Sequence, residues 1–348
     1  MTSYEMPSSD DRLIWDTWLS IHYLPAVTVA DELGIFKSLN ECATTAIELA
    51  ERLSYDYRTT IAVLRMLTAL GFLALHDSVY EVTDPARLYL LRDSPFYWGH
   101  MLGTSQPQHA RWRDMLRGRS PRGVAGQQGA TPTPQGRGSA DSWASGNIDM
   151  ERARRVAAAM ESHSLPAAIA LARNGDFDGV ERLLDVGGGS GCFALALALQ
   201  HADMRCTIME LPAMCAVAQE YIDARGVKDR VDTTAVDMFR QPWPRGYDAM
   251  LFSNVFHDWN FETCSWLAER ACEALEPGGR IFLHEMLLDD AGAGPPTAVS
   301  FSMLMLSTQG QQFTLRELRG LLQDAGLRDI TAKSTYGYYS VVIGRKGT

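Results

Sequence analysis

The chain lacks a surplus of positive charge. Its 348 residues carry 32 Lys and Arg against 42 Asp and Glu, a formal net charge of −10. Nonspecific binding to nucleic acid or anionic membrane needs a concentrated basic face, so neither partner is expected. Long apolar runs are also lacking. The stretch at 192–199, CFALALAL, is far shorter than the ~20 residues a bilayer requires. The opening residues MTSYEMPSSDDR have neither a basic n-region nor an apolar h-region, and the expectation is a cytoplasmic protein. The six cysteines form no CxxC pair and sit mostly in apolar patterns, as reduced, buried thiols do. His257, Asp258, His284 and Glu285 lack a compact ligand spacing such as HExxH, so no metal is expected.

What is present is a packed globular composition, with 46% hydrophobic residues and a length sufficient for two domains. Residues 13–36 have apolar positions at helical spacing, with Pro25 as a kink or break. A short helix follows over 46–53. Asp56 can cap another that Gly71 ends, and FLALHDSVYEVTD then reads as a hairpin around Asp77 and Ser78. Helix, helix, helix, hairpin is the order of a winged helix. A DNA-reading helix should carry cations and polar groups, yet residues 57–70 offer Arg58 and Arg65 and are otherwise mostly apolar. Such a helix is better suited to packing on another domain or a second subunit. Residues 94–117 return to a helical pattern, with Phe96, Tyr97, Trp98 and Trp112. Residues 118–147, rich in Gly, Pro, Ser and Gln, read as loop, and Asp149 can cap a helix through Met160.

From Val180 the period changes. Strand-like segments (RLLDV, CTIME, VDTTAVDMF, YDAMLFSNVF, GRIFLHEML) alternate with helical ones, and DITAKSTYGYYSVVIGRK closes as a pair of strands. This alternation predicts a mostly parallel sheet covered by helices on both faces, with ligands at the carboxyl ends of the strands.

The first such end is LLDVGGGSG. A GxGxxG dinucleotide loop would need its third glycine at Cys192, and no Gly-Lys-Ser/Thr follows as in a P-loop. The pattern is instead Asp185, Gly187, Gly189, Gly191. Glu210, at the end of the second strand, can accept hydrogen bonds from two ribose hydroxyls. Asp237, beside Met238 and Phe239 at the third strand end, suits an adenine amine and ring. Singly, Glu210 or Asp237 could be a helix cap. Together after this loop they point to an adenosine without a pyrophosphate, of which S-adenosylmethionine is the obvious example.

These residues, with Glu210-Leu211-Pro212, NVFHDW at 254–259, PGG at 277–279 and His284-Glu285, resemble the small-molecule O-methyltransferases of the caffeate, acetylserotonin and bacterial polyketide type. The carboxyl-terminal run is similar, less specifically, to bacterial ring C-methyltransferases acting on tyrosine- or 3-hydroxykynurenine-type amino acids. The resemblance implies an α/β fold: a class I Rossmann-like methyltransferase domain with a mostly parallel seven-stranded sheet, preceded by a mostly helical, winged-helix-like dimerisation domain. It implies domains over 1–105 (dimerisation), 106–175 (connecting helices, loop and pocket helix) and 176–348 (S-adenosylmethionine binding), and a homodimer.

It also implies roles. Asp185, Gly187, Gly189, Glu210, Leu211, Asp237, Met238, Phe239, Ser253 and Ser164 would bind the cofactor. His257 would be the general base that deprotonates a phenol, Glu285 would orient it, and Asp258 and Gln312 would flank it. Met160, His163, Trp98, Met303 and Met305 would line a pocket for a small hydroxylated aromatic. Arg111, Arg113 or Arg117 could pair with a substrate carboxylate. A phenolate carries charge on oxygen and on ring carbons, so oxygen and carbon methylation both stay open. Two positions depart from the family pattern. Gln312 replaces a carboxylate and cannot offset charge on an imidazolium, and Ser253 replaces a lysine. The departures leave the methyl donor untouched and bear on the strength of the base. Against this enzyme stand a winged-helix regulator that senses S-adenosylmethionine and a catalytically inactive homologue.

Overall fold

A computed structural model describes residues 6–94, 97, 99–102, 107–119, 149–306 and 309–348. The expected loop at 118–147 therefore lies almost wholly outside the described residues, as do Phe96 and Trp98. The chain forms two compact units, one of residues 12–125 and 288–307, the other of residues 1–11, 126–287 and 308–348.

The first unit is mostly helical. Helices α1 (Arg12–Leu19), α2 (Tyr23–Glu32), α3 (Ile35–Glu41), α4 (Ala46–Leu53) and α5 (Tyr57–Ala69) lead into strands β2 (Leu73–His76) and β3 (Val79–Val82), with β1 (Thr44–Thr45) pairing on β3. Helices α6 (Asp84–Leu90), α7 (Gly99–Leu102) and α8 (Pro107–Leu116) follow. Asp56 caps α5 by accepting the Thr59 N–H at 2.7 Å. Asp77 and Ser78 both hold positive φ, the hairpin turn whose twist matches that of its strands. The helix break falls at the 3₁₀ turn Ser20–His22 rather than at Pro25. Pro25 sits instead in the first turn of α2, where its missing N–H costs nothing. Helices α3 and α6, of seven residues each, are too short to show a clear period in the sequence.

The second unit begins with α9 (Met150–Asn174), capped by Asp149, which accepts the Arg152 N–H at 2.8 Å. The expected end at Met160 is wrong: the helix continues past Pro166, carried by the fully buried Ala167, Ala168 and Leu171. Then come β4 (Arg182–Val186), α10 (Cys192–Gln200), β5 (Arg205–Glu210), α11 (Pro212–Arg225), β6 (Val231–Ala235), β7 (Tyr247–Ser253), α12 (Phe261–Ala274) and β8 (Leu275–Leu288). The chain then forms α13 (Pro296–Met305) within the helical unit before β9 (Phe313–Thr314), α14 (Leu315–Asp324), β10 (Leu327–Tyr336) and β11 (Tyr339–Lys346). Seven strands run in the order β10-β11-β8-β7-β4-β5-β6, with β9 paired to β8 as an eighth. The four pairings among β8, β7, β4, β5 and β6 are parallel, while β11 runs antiparallel to β8 and β10.

Strand periodicity splits the core in two. Leu183, Ala249, Leu251, Phe282, Val341 and Ile343 face α9, α10 and α11. Their neighbours Leu184, Met250, Phe252, Ile281, Leu283 and Val342 face α12 and α14. The order of travel reverses between β4 and β7, and the crevice at a reversal is where such sheets hold ligands. The loops after Val186 and Ser253 meet there. Among the described residues no helix is long and apolar enough to cross a membrane.

Asp56→Ala removes the acceptor for the Thr59 N–H, which should cost about 1 kcal/mol and lower the urea midpoint of the helical unit measured by circular dichroism. An unchanged midpoint would show that the cap contributes nothing.

Candidate active site

The glycine loop takes its form from three left-handed residues, Gly187 (φ 68°), Gly189 (φ 58°) and Gly191 (φ 79°). A methyl group at Gly191 would run into the Ile208 side chain, and one at Gly188 would sit 2.6 Å from the Asp185 carboxylate, so the loop must stay bare. Above Gly189 there is open space, the nearest atom to an added methyl being the Met160 sulfur at 4.0 Å. Asp185 is 1% exposed and accepts the Ala194 N–H in the first turn of α10. Burial pushes its pKa up to about 7, against that hydrogen bond, and its second oxygen has no partner. Glu210 receives the N–H groups of Leu211 (2.6 Å) and Gly189, while burial raises its pKa also. Two acidic groups with spare acceptor capacity beside an open glycine cradle fit a ligand that brings hydroxyl donors and positive charge.

At the third strand end, β6 stops at Ala235 rather than running through Phe239. Asp237 forms a turn instead, accepting the Phe239 N–H at 3.0 Å while its own N–H donates to Gln241 at 2.7 Å. Its carboxylate also stands 3.6 Å from Arg240. Phe239 packs against Trp259 and Trp266, with ring centres at 4.8 and 5.7 Å. Met238 is half-buried, and its carbonyl accepts the Trp243 indole N–H at 2.8 Å.

The fourth strand ends at Ser253, short of the expected run through Phe256. Asn254 turns the chain with φ 57°, its N–H held by the His284 carbonyl at 3.1 Å. The 3₁₀ turn Phe256–Asp258 follows and carries His257, which is 5% exposed. Glu285, 1% exposed and three residues before the end of the adjacent strand β8, meets this turn with both oxygens. One accepts the N–H groups of Val255 (3.1 Å), Phe256 (3.0 Å) and His257 (3.4 Å). The other lies 2.6 Å from His257 Nδ1. Burial alone would lower the His257 pKa. The Glu285 charge and hydrogen bond, helped by Asp258 at 3.8 Å from Nε2, override it and hold the imidazole up at about 9.

On α9, Ser164 is buried with its hydroxyl 3.2 Å from His163 Nδ1, and the His163 pKa is lowered by burial and then by the His257 charge. Ser253 Oγ lies 3.0 Å from Nδ1 of the fully buried His284, whose Nε2 meets Thr335 Oγ1 at 2.9 Å and whose ring stacks on Tyr339. Burial drives the His284 pKa down to about 3, so it stays neutral and serves as a structural hydrogen-bonding group.

The second unit thus contains the loop, the acidic residues Asp185, Glu210 and Asp237, the His257–Glu285 pair and the Met160–Ser164 segment. Gln312 is fully buried in the same unit. Met303 and Met305 belong to the helical unit, where Met303 is packed in the core. Trp98 lies outside the described residues. The backbone donors to Glu285 and the close approach of Gly310 to the His257 carbonyl leave no signal in the sequence, since both depend on neighbours in space.

A family model of the O-methyltransferase domain matches residues 126–328, and one of the O-methyltransferase dimerisation domain matches residues 15–92. The chain is 33% identical over 323 residues to a 3-hydroxy-5-methyl-1-naphthoate 3-O-methyltransferase of Streptomyces sahachiroi, covering 91% of this chain and 90% of that one. It is 28% identical to an N,N-dimethyltransferase of Streptomyces rimosus, over 92% of each chain. Among solved structures, an O-methyltransferase family 2 protein of Planctomyces limnophilus, crystallised in complex with apigenin, has the same fold. It aligns over 99% of this chain and 100% of that one, with a TM-score of 0.85 at 24% identity.

Because the folded pKa of His257 is raised, its pairing with Glu285 stabilises the protein fully below the ordinary histidine value of 6.5. That contribution is lost as pH rises through about 9. The imidazole resonances should titrate near pH 9 in the free protein, and in Glu285→Gln below the ordinary value, where burial alone acts. A midpoint at or under 6.5 in the unsubstituted protein would refute the pairing.

Proposed function

The chain is a member of the O-methyltransferase family and an S-adenosylmethionine-dependent methyltransferase, and we propose that it methylates a phenolic oxygen of a hydroxylated aromatic small molecule, with His257 as general base. The observation that carries the proposal is the buried His257–Glu285 pair at the strand end next to the glycine loop. When bound, S-adenosylmethionine supplies an electrophilic methyl carbon on a sulfonium. Glu210 is suited to its ribose hydroxyls, Asp185 to holding the loop and the start of α10, and Asp237 with Met238 and Phe239 to the adenine.

The task left to the protein is to place and deprotonate the acceptor. With Nδ1 engaged by Glu285, proton exchange falls to Nε2. A phenol has a pKa of ~10, and an imidazole raised to about 9 nearly matches it. The proton then moves between groups of similar affinity, and Glu285 stabilises the imidazolium that results. In the free protein most of the imidazole is protonated at neutral pH, so the base-competent fraction grows with pH. The relative from Streptomyces sahachiroi acts on a naphthoate oxygen, which supports an aromatic hydroxyl as the acceptor and a place in specialised metabolism such as antibiotic biosynthesis.

We further propose that the chain is a homodimer formed through its helical unit. Residues 15–92 match the family's dimerisation domain, and α1 presents Leu13 (76% exposed), Ile14 (70%) and Trp18 (47%) as an uncovered apolar stripe. Leu13→Asp with Ile14→Asp should shift the sedimentation coefficient toward the monomer, and an unshifted dimer would place the contact elsewhere.

Incubation with methyl-labelled S-adenosylmethionine and a panel of phenols and hydroxylated aromatic acids tests the activity. His257→Ala should cut transfer by about 10²–10⁴-fold while cofactor affinity stays within a few-fold, and kcat/KM of the unsubstituted enzyme should climb with pH up to about 9. Undiminished transfer by His257→Ala would refute the base, and NMR of the product showing a ring methyl would refute transfer to oxygen.

A further inference from the structure

We propose that Gly310 is a positioning residue for His257, the second of two backbone seats that fix the base, and that its lack of a side chain is what permits this. The inference rests on the reading of His257 as the base. It starts from the observation that the His257 turn is held at opposite ends. At its amino-terminal end Glu285 gathers the N–H groups of Val255, Phe256 and His257 and fixes Nδ1. At its carboxyl-terminal end the turn offers carbonyl groups. That of Phe256 receives the Cys264 thiol at 3.2 Å. Against that of His257 the backbone of Gly310 is packed directly. A methyl group added to Gly310 would overlap the His257 carbonyl oxygen and stand 2.7 Å from the carbonyl carbons of both His257 and Asp258.

This crowding differs from that at most of the described glycines. At Gly188, Gly191 and Gly292 the obstructing atoms belong to side chains, which can rotate away. At Gly310 all three are main-chain atoms, and they are the main chain of the base itself. Gly310 is buried and carries no positive φ, so torsional freedom does not explain a glycine here. Close approach does. A side chain at 310 must push either its own loop outward or the His257–Asp258 peptide away from it. The second displacement swings the imidazole on its Glu285 hydrogen bond. A shift on the order of 1 Å in a reacting group can cost about 10²-fold in rate.

Gly320, in the middle of α14, provides the control, because nothing lies within 4 Å of a methyl group added there. Gly320→Ala should leave both activity and the His257 titration unchanged. Gly310→Ala should lower kcat by about 10²-fold with KM for S-adenosylmethionine within two-fold. The charges bearing on His257 are those of Glu285, Asp258 and His163. A loosened contact with Glu285 should therefore carry the imidazole midpoint downward, a change that a merely destabilised fold would not produce.

If kcat and midpoint in Gly310→Ala equal those of the unsubstituted protein, the proposal fails. It fails equally if activity falls while the midpoint stays put. If Gly310→Ala does not fold, the unsubstituted protein decides: the Gly310 amide resonance should shift with the midpoint of the His257 imidazole, and an amide indifferent to that titration overturns the proposal. His257→Ala separates this outcome from failure of the base assignment, since an enzyme indifferent to that substitution removes the base whatever Gly310 does.

Discussion

One carboxylate organises the catalytic end of the sheet. Glu285 is buried almost completely, a position too costly for an ion unless donors surround it. Three main-chain N–H groups and one imidazole supply them. The arrangement works in both directions. The amides of the 3₁₀ turn satisfy the carboxylate, and the carboxylate supplies the acceptor that the turn's first amides would otherwise lack. Strand β8, which carries Glu285, lies in parallel beside β7, which leads into the turn. The proposed base is therefore built on sheet geometry at its root, and its placement inherits the rigidity of the sheet.

The neighbouring histidine shows how environment divides identical side chains into different tasks. His284 precedes Glu285 by one residue, so its side chain emerges on the opposite face of the strand. There it finds Ser253, Thr335 and Tyr339 and no carboxylate, and burial keeps it uncharged. His257, equally enclosed, is held in the reverse sense by Glu285. Burial is common to both, so the nearby charge decides the outcome.

Much of this was legible in the sequence because it depended on local pattern. The sheet followed from the alternation after Val180, the hairpin from Asp77-Ser78, and the α5 cap from Asp56. The loop, the acidic strand ends and His257 stood out because strand ends are where such sheets bind ligands. What stayed hidden depended on tertiary context. The helix capped by Asp149 was expected to end at Met160, but the buried Ala167 and Ala168 carry α9 past Pro166. Asn254 and Asp237 ended strands early by turning the backbone, a choice that apolar periodicity does not register. Gly310 is 53 positions from the residue whose carbonyl it touches, and no spacing rule reaches that far.

The unpartnered oxygen of Asp185 has a consequence for how the loop is filled. Burial pushes its pKa up to about 7, and Glu210 is displaced in the same direction. A cationic guest seated beside these carboxyls would stabilise their ionised forms, and its binding would then be linked to the release of hydrogen ions.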